Sequence, residues 1–170
     1  MSCTSKHNST VTTLNLSNKS LTAIPDSVFS LTQLEYLELG NSFTLYPPLS
    51  GLGKEYGSGD SMNKVAEIPK DITKLRKLRI LGLCFNDLRS LPKEIAELKK
   101  LDALDISFNR NLKISTQMET LKQMDWLKYL NIIATNADET TIDKLRKSLP
   151  KTKIHAKLDD LKIETVDSAE

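Results

Sequence analysis

Aliphatic residues recur along this chain at fixed places in a unit of 23 residues. The unit is clearest in residues 78–100, where they occupy the first, fourth, sixth, eleventh, fourteenth, eighteenth and twenty-first places. Asn86 holds the ninth place and Pro92 the fifteenth, and the pattern starts again at Leu101. A fixed period of this length is typical of a solenoid, in which stacked repeats bury one another's apolar side chains.

The same register predicts one repeat domain of about five units between residues 11 and 156. The second unit keeps the register only if residues 42–62 are an insertion of 21 residues, and the fourth is longer and lacks the proline. The fifth is interpreted as a closing unit. The predicted units are 11–33, 34–77, 78–100, 101–126 and 127–156, with a flexible tail at 1–10 and a second tail at 157–170.

Each unit begins with an alternation of apolar and polar residues, which predicts a half-buried strand, and returns through a proline-led helical or extended segment. The predicted fold class is therefore an α/β solenoid, right-handed and curved, with a short parallel sheet on its concave face. We expect Asn63, Asn86 and Asn109 to point inward and bond the backbone of adjacent turns, because an unpaired buried amide costs roughly 1–3 kcal/mol.

The repeat resembles the leucine-rich repeat family. Residues 65–78 and 88–101 both follow the pattern LxxLPxxIxxLxxL, with Val65 and Ile68 in place of two leucines. This is similar to the 23-residue class of intracellular Ras-group-related proteins and of many bacterial repeat proteins. The resemblance implies a horseshoe fragment that recognises a protein, and it implies no particular partner.

The third, fifth, seventh and eighth places of each unit are predicted to face the concave side and to bind a protein partner. Aromatic side chains are enriched at the centres of protein interfaces, and several occur here. The predicted contact residues are Tyr36, Glu38, Ile80, Cys84, Phe85, Asp105, Phe108, Tyr129 and Asn131, together with Tyr46 and Tyr56 in the insertion.

Alternatives remain open for several of these residues. Tyr36 and Tyr129 are expected to face solvent, whereas Phe85 and Phe108 either contact a partner or pack over the sheet as structure. The two charged contact residues, Glu38 and Asp105, either attract a basic residue of the partner or are simply solvated. The insertion, rich in glycine and proline, either folds over the concave face as a binding loop or is a flexible excursion.

Charge and composition argue against several other classes of function. Basic residues (24) and acidic residues (22) are interleaved along the chain, so we expect no nucleic-acid partner. Cys3 and Cys84 are too few for a disulfide framework, and no apolar run is long enough to span a membrane. Neither His7 nor His155 has a spacing typical of a catalytic or metal site. We therefore predict a monomeric, non-enzymatic protein without a cofactor.

Three functions are consistent with the sequence. The first is a protein-binding module and scaffold, and the second is a bacterial surface or envelope lipoprotein that uses the repeats for adhesion or host contact. The third is the substrate-recognition part of a larger enzyme assembly. The sequence as written has no export signal, which predicts a cytoplasmic location. The lipoprotein alternative applies if Cys3 is a processed, lipid-anchored N-terminus.

Overall fold

A computed structural model describes residues 11–40 and 62–161 of the chain. Six short strands lie side by side in chain order and form one parallel sheet. Residues at the same place of successive units are partners across it; β2 pairs directly with β3 although Tyr36 and its partner Ile80 are far apart in sequence. The strands are β1 (Thr13–Asn15), β2 (Tyr36–Glu38), β3 (Ile80–Gly82), β4 (Ala103–Asp105), β5 (Tyr129–Asn131) and β6 (Lys153–His155).

Short helices form the other side of the stack. The 3₁₀-helices Asp26–Ser30, Lys70–Lys74 and Lys93–Glu97 each follow a proline. Proline favours the start of a helix for two reasons. Its φ is already fixed at a helical value, and the first backbone amides of a helix have no intrahelical acceptor, so the missing N–H loses no hydrogen bond. The later units contain α1 (Ile114–Lys122) and α2 (Glu139–Ser148), and a last 3₁₀-helix spans Leu158–Leu161.

The core lies between the sheet and the helices. The fourth-place side chains of β2 to β5 are 0% exposed, and each contributes roughly 1.5–3 kcal/mol relative to exposure. They are Leu37, Leu81, Leu104 and Leu130. Leu14, the same place of β1, is only half-buried, because β1 has a neighbouring strand on one side only.

The ninth-place asparagines join neighbouring units. The Oδ1 atom of Asn86 accepts the amide of Val65 at 2.9 Å, and Oδ1 of Asn109 accepts the amide of Leu88 at 2.9 Å. Their Nδ2 atoms donate to backbone carbonyls, including that of Leu83 in both cases. Oδ1 of Asn63 likewise accepts two amides of the first unit. Each side chain thus hydrogen bonds the turn of the unit before it.

No helix within residues 11–40 and 62–161 is both long and apolar enough to cross a membrane.

Candidate protein-binding face

The sheet has one face against the core and one face away from it. Successive side chains of a strand point to opposite faces, so the third and fifth places of each unit lie on the side opposite the buried leucines. We call this side the concave face. Seventh- and eighth-place residues continue it beyond the strand ends.

A row of mostly polar residues crosses the concave face at the fifth place. Neighbouring members are Cα partners, and neighbouring strands in a sheet lie about 4.8 Å apart. We call this set the polar row; its members are Asn15, Glu38, Gly82, Asp105, Asn131 and His155.

Glu38 is 2% exposed and reaches over the neighbouring strand. Its Oε2 atom accepts the hydroxyl of Tyr36 at 3.0 Å, and its Oε1 atom accepts the amide of Gly40 at 2.9 Å. A Cβ atom on Gly82 would lie 2.3 Å from both carboxylate oxygens, so glycine leaves the space that this carboxylate occupies. Burial, together with the nearby charge of Glu38, raises the pKa of Tyr36, which therefore remains a hydrogen-bond donor.

Asp105 is a buried carboxyl group with one oxygen satisfied. Oδ1 accepts the amide of Ser107 at 2.9 Å and its hydroxyl at 2.6 Å, whereas Oδ2 has no hydrogen bond. Burial raises the pKa of Asp105, and the hydrogen bonds from Ser107 partly oppose this shift. No ion pair to Asp105 occurs among the residues that the structure describes.

Asn131 and His155 continue the polar row and are also buried. Oδ1 of Asn131 accepts the amide of Ile133 at 3.2 Å, but its Nδ2 atom has no hydrogen-bond partner. His155 is 6% exposed, and neither of its ring nitrogens is hydrogen bonded. Burial lowers the pKa of His155, Lys153 lowers it further, and Asp160 opposes the shift. The imidazole is therefore neutral near pH 7.

Two aromatic rings lie at the eighth place, next to the polar row. Phe85 and Phe108 stack with ring centroids 4.1 Å apart and planes 13° apart. Both have left-handed backbones, with φ of 54° and 56°, as does Ala134 at the same place of the next unit. A non-glycine residue in this conformation costs roughly 1–2 kcal/mol, so the turn geometry of the repeat holds both rings in this position.

The structure separates the predicted contact residues into two groups. Ile80, Phe85, Phe108 and Tyr129 are half-buried and lie on or beside the concave face. Five others are buried: Tyr36, Glu38, Cys84, Asp105 and Asn131. Tyr46 and Tyr56 lie outside the described residues.

Three expectations about exposure were wrong. Tyr36 does not face solvent, since it is 8% exposed and its hydroxyl turns towards Glu38. Glu38 and Asp105 are not solvated charges, because both are buried and hydrogen bonded by neighbours on the same strand and turn. Cys84 is 0% exposed, so its thiol presents no contact surface.

Sequence reasoning missed His155 as a member of this face. His155 could have been found by aligning residues 153–155 with residues 129–131, because this alignment places His155 beside Asn131. Gly82 was also missed, because its role depends on where the carboxylate of Glu38 lies.

The described residues contain no group of three or more His, Cys, Asp or Glu side chains that could hold a metal ion.

The in-register parallel sheet, the buried leucines and the helices behind them define a leucine-rich repeat solenoid, which confirms the predicted fold class. The chain is similar to a solved leucine-rich repeat protein of Leptospira interrogans, with 32% identity and a TM-score of 0.57 over 85% of this chain. It is also similar to an internalin of Listeria monocytogenes, with 27% identity and a TM-score of 0.52 over 87% of this chain.

The chain spans 36% of the Leptospira protein and 48% of the internalin. No protein-family model matches the chain, and a search of curated proteins finds no match either.

Proposed function

We propose that this chain is a protein-binding module that holds its partner on the concave face. The observation that carries this proposal is a group of buried, incompletely bonded polar side chains beside half-buried aromatic rings, on a face that the leucine core does not need. These side chains are Asp105, Asn131 and His155. Interfaces concentrate their binding energy in such aromatic residues and in desolvated polar contacts. The strands beneath are held in register by the repeat, so the face is pre-organised for binding.

The inserted segment 42–62 is the second part of the proposed site. The chain enters it after Gly40, whose backbone lies against that of Cys84 next to β3, and resumes the repeat at Asn63. The segment thus follows the strand that carries Tyr36, next to the strand that carries Ile80. Binding residues are often found on loops that a rigid scaffold positions.

We also assign the repeats to the 23-residue class. The spacing of 23 residues between the partners Thr13 and Tyr36, and again between Ile80 and Ala103, supports this assignment.

Affinity capture from the source cell tests the proposed face. Proteins retained by the native chain are identified, and capture is repeated with Tyr129→Ala and with residues 42–62 deleted. We expect both changes to reduce capture of the same partner at least tenfold. Lys144→Ala on α2 is the matched control and leaves capture unchanged. Full capture by both altered chains, with their folding verified by circular dichroism, contradicts the assignment.

The bacterial origin of the Leptospira protein and the Listeria internalin supports a second candidate, an envelope lipoprotein anchored at Cys3. Mass spectrometry of the native protein tests it. An acylated Cys3 at the N-terminus supports this candidate, and an unmodified N-terminal methionine contradicts it.

A further inference from the structure

We propose that Asp105, Asn131 and His155 form a binding site for a positively charged side chain, lysine or arginine, of the protein that occupies the concave face. We call these three residues the acceptor site. The inference rests on the proposed function, because it names the chemistry by which the same face recognises its partner.

The acceptor site is built by three adjacent strands. Asp105 in β4 is the partner of Asn131 in β5, which is the partner of His155 in β6. Leu130, which precedes Asn131, is buried in the core on the opposite side of the sheet. The alternation of side chains therefore places all three polar groups on the concave face.

The acceptor site contains four buried polar atoms without hydrogen bonds. They are Oδ2 of Asp105, Nδ2 of Asn131 and the two ring nitrogens of His155, and their residues are at most 6% exposed. Buried polar atoms in proteins are nearly always hydrogen bonded. Two of the four, Oδ2 of Asp105 and the unprotonated ring nitrogen of His155, are acceptors, and a bound donor would complete their hydrogen bonding.

The charges of the acceptor site favour a cation. Asp105 supplies a carboxylate without an ion pair in the described residues, and burial in this setting is costly for an uncompensated charge. His155 is neutral, so one of its ring nitrogens accepts a hydrogen bond. Oδ2 of Asp105 and one ring nitrogen of His155 are therefore the acceptors that an incoming donor meets. A phosphate or carboxylate would be repelled by Asp105.

The depth of the acceptor site selects a long side chain. Asp105 is 1% exposed, so a donor must extend into the face to reach Oδ2. Lysine and arginine carry their charge on a flexible apolar stem that packs against aromatic surface, which Tyr129 supplies on the same strand as Asn131. Lys153 is exposed at the rim, and its charge, which lowers the pKa of His155, opposes a cation there.

Nuclear magnetic resonance of the full chain, labelled with ¹³C in its aspartate and histidine side chains, tests the acceptor site. The probe is Nα-acetyl-arginine methylamide, and the matched neutral probe is the citrulline equivalent. We expect the arginine probe to shift the Asp105 carboxyl and His155 ring signals saturably at millimolar concentration. The citrulline probe should bind at least tenfold more weakly.

Two variants make the test specific. Asp105→Asn should remove the saturable response, whereas Asp71→Asn, on an exposed 3₁₀-helix, should leave it unchanged. If Asp105→Asn does not fold, His155→Phe replaces it and should weaken the response several-fold. An absent response in the native chain, an equal response to citrulline, or an unchanged response in the folded variant overturns the acceptor site. Capture through Tyr129 and the inserted segment would then still support the proposed function.

Discussion

At the scale of single residues, the ninth-place asparagines connect neighbouring repeats through hydrogen bonds. The side chain of Asn86 accepts the amide of Val65 and donates to the carbonyls of Leu39 and Leu83. Removing it leaves these backbone groups buried and unpaired. Three of the units, those with Asn63, Asn86 and Asn109, are therefore stabilised by a polar side chain as well as by their leucines.

We expect Asn86→Ala to lower the free energy of unfolding by about 1–3 kcal/mol, the cost of leaving a buried polar group unpaired. Urea denaturation measures the loss. Asn111→Ala is the matched control, because Asn111 is exposed, and it should change stability by less than about 0.5 kcal/mol. Equal stability of the two variants would show that the asparagine bonds do not hold the units together.

His155 should make stability depend on pH. Its pKa is lower in the folded chain than the usual 6.5, so protonation favours the unfolded chain. The stabilising contribution is complete above about pH 6.5 and is lost as the pH falls through the folded pKa. The pKa of Asp105 is raised, so protonation of its carboxyl acts in the opposite direction.

The native chain and His155→Phe, unfolded in urea at pH 7.5 and at pH 5.5, separate these two effects. The variant should lose less stability on acidification than the native chain, since the Asp105 contribution is common to both. An identical loss would contradict a buried, neutral His155.

The residue scale also shows where sequence reasoning ends. The inward orientation of the asparagines can be predicted because they recur at the ninth place of the unit and because a buried amide must be hydrogen bonded. The burial of Tyr36 and Glu38 cannot be predicted in this way. It depends on the hydrogen bond between these two residues of β2 and on the space left by Gly82 in β3, which has no side chain. Such contacts between strands are fixed only once the register of the sheet is known.

At the scale of elements, the period predicts the strands better than the helices. Alternation of apolar and polar residues marks each strand, and the 3₁₀-helices begin after Pro25, Pro69 and Pro92. The fourth unit has no such proline and contains α1 instead. There, Gln117 is buried and its Oε1 accepts the amide of Leu91 at 2.9 Å. Nothing in the spacing of apolar residues predicts that bond.

The inserted segment 42–62 gives a prediction at this scale. Deleting it joins Asn41 to Asn63 and restores the unit length of 23 residues. The bonds on both sides remain available: Leu39 donates its amide to Gly82, and Lys64 donates its amide to Leu21.

We expect this deletion to change the free energy of unfolding by less than about 1 kcal/mol, because loop length affects stability only weakly. Urea denaturation with detection by circular dichroism measures it. Loss of cooperative unfolding would show that the segment is part of the folded repeat. As a matched control, deleting only 51–59 within the same segment should give the same stability.

At the scale of the whole molecule, the repeat fixes the architecture and leaves the concave face free to specialise. Each unit contacts mainly its neighbours, so stability accumulates along the stack while residues of the concave face vary without disturbing the core. The proposed function depends on this division. Half-buried rings and incompletely bonded polar groups lie on one face, and ordinary exposed ion pairs such as Lys122–Glu119 lie on the helices behind it.

Photo-crosslinking tests the central claim most directly. A benzoylphenylalanine is placed at Tyr129 or Ile80 on the concave face, or at Asp143 on the exposed surface of α2, and the chain is irradiated in extracts of its source cell. We predict that the first two positions form a covalent adduct with the same protein and that position 143 does not. An adduct formed at position 143 alone would contradict binding through the concave face.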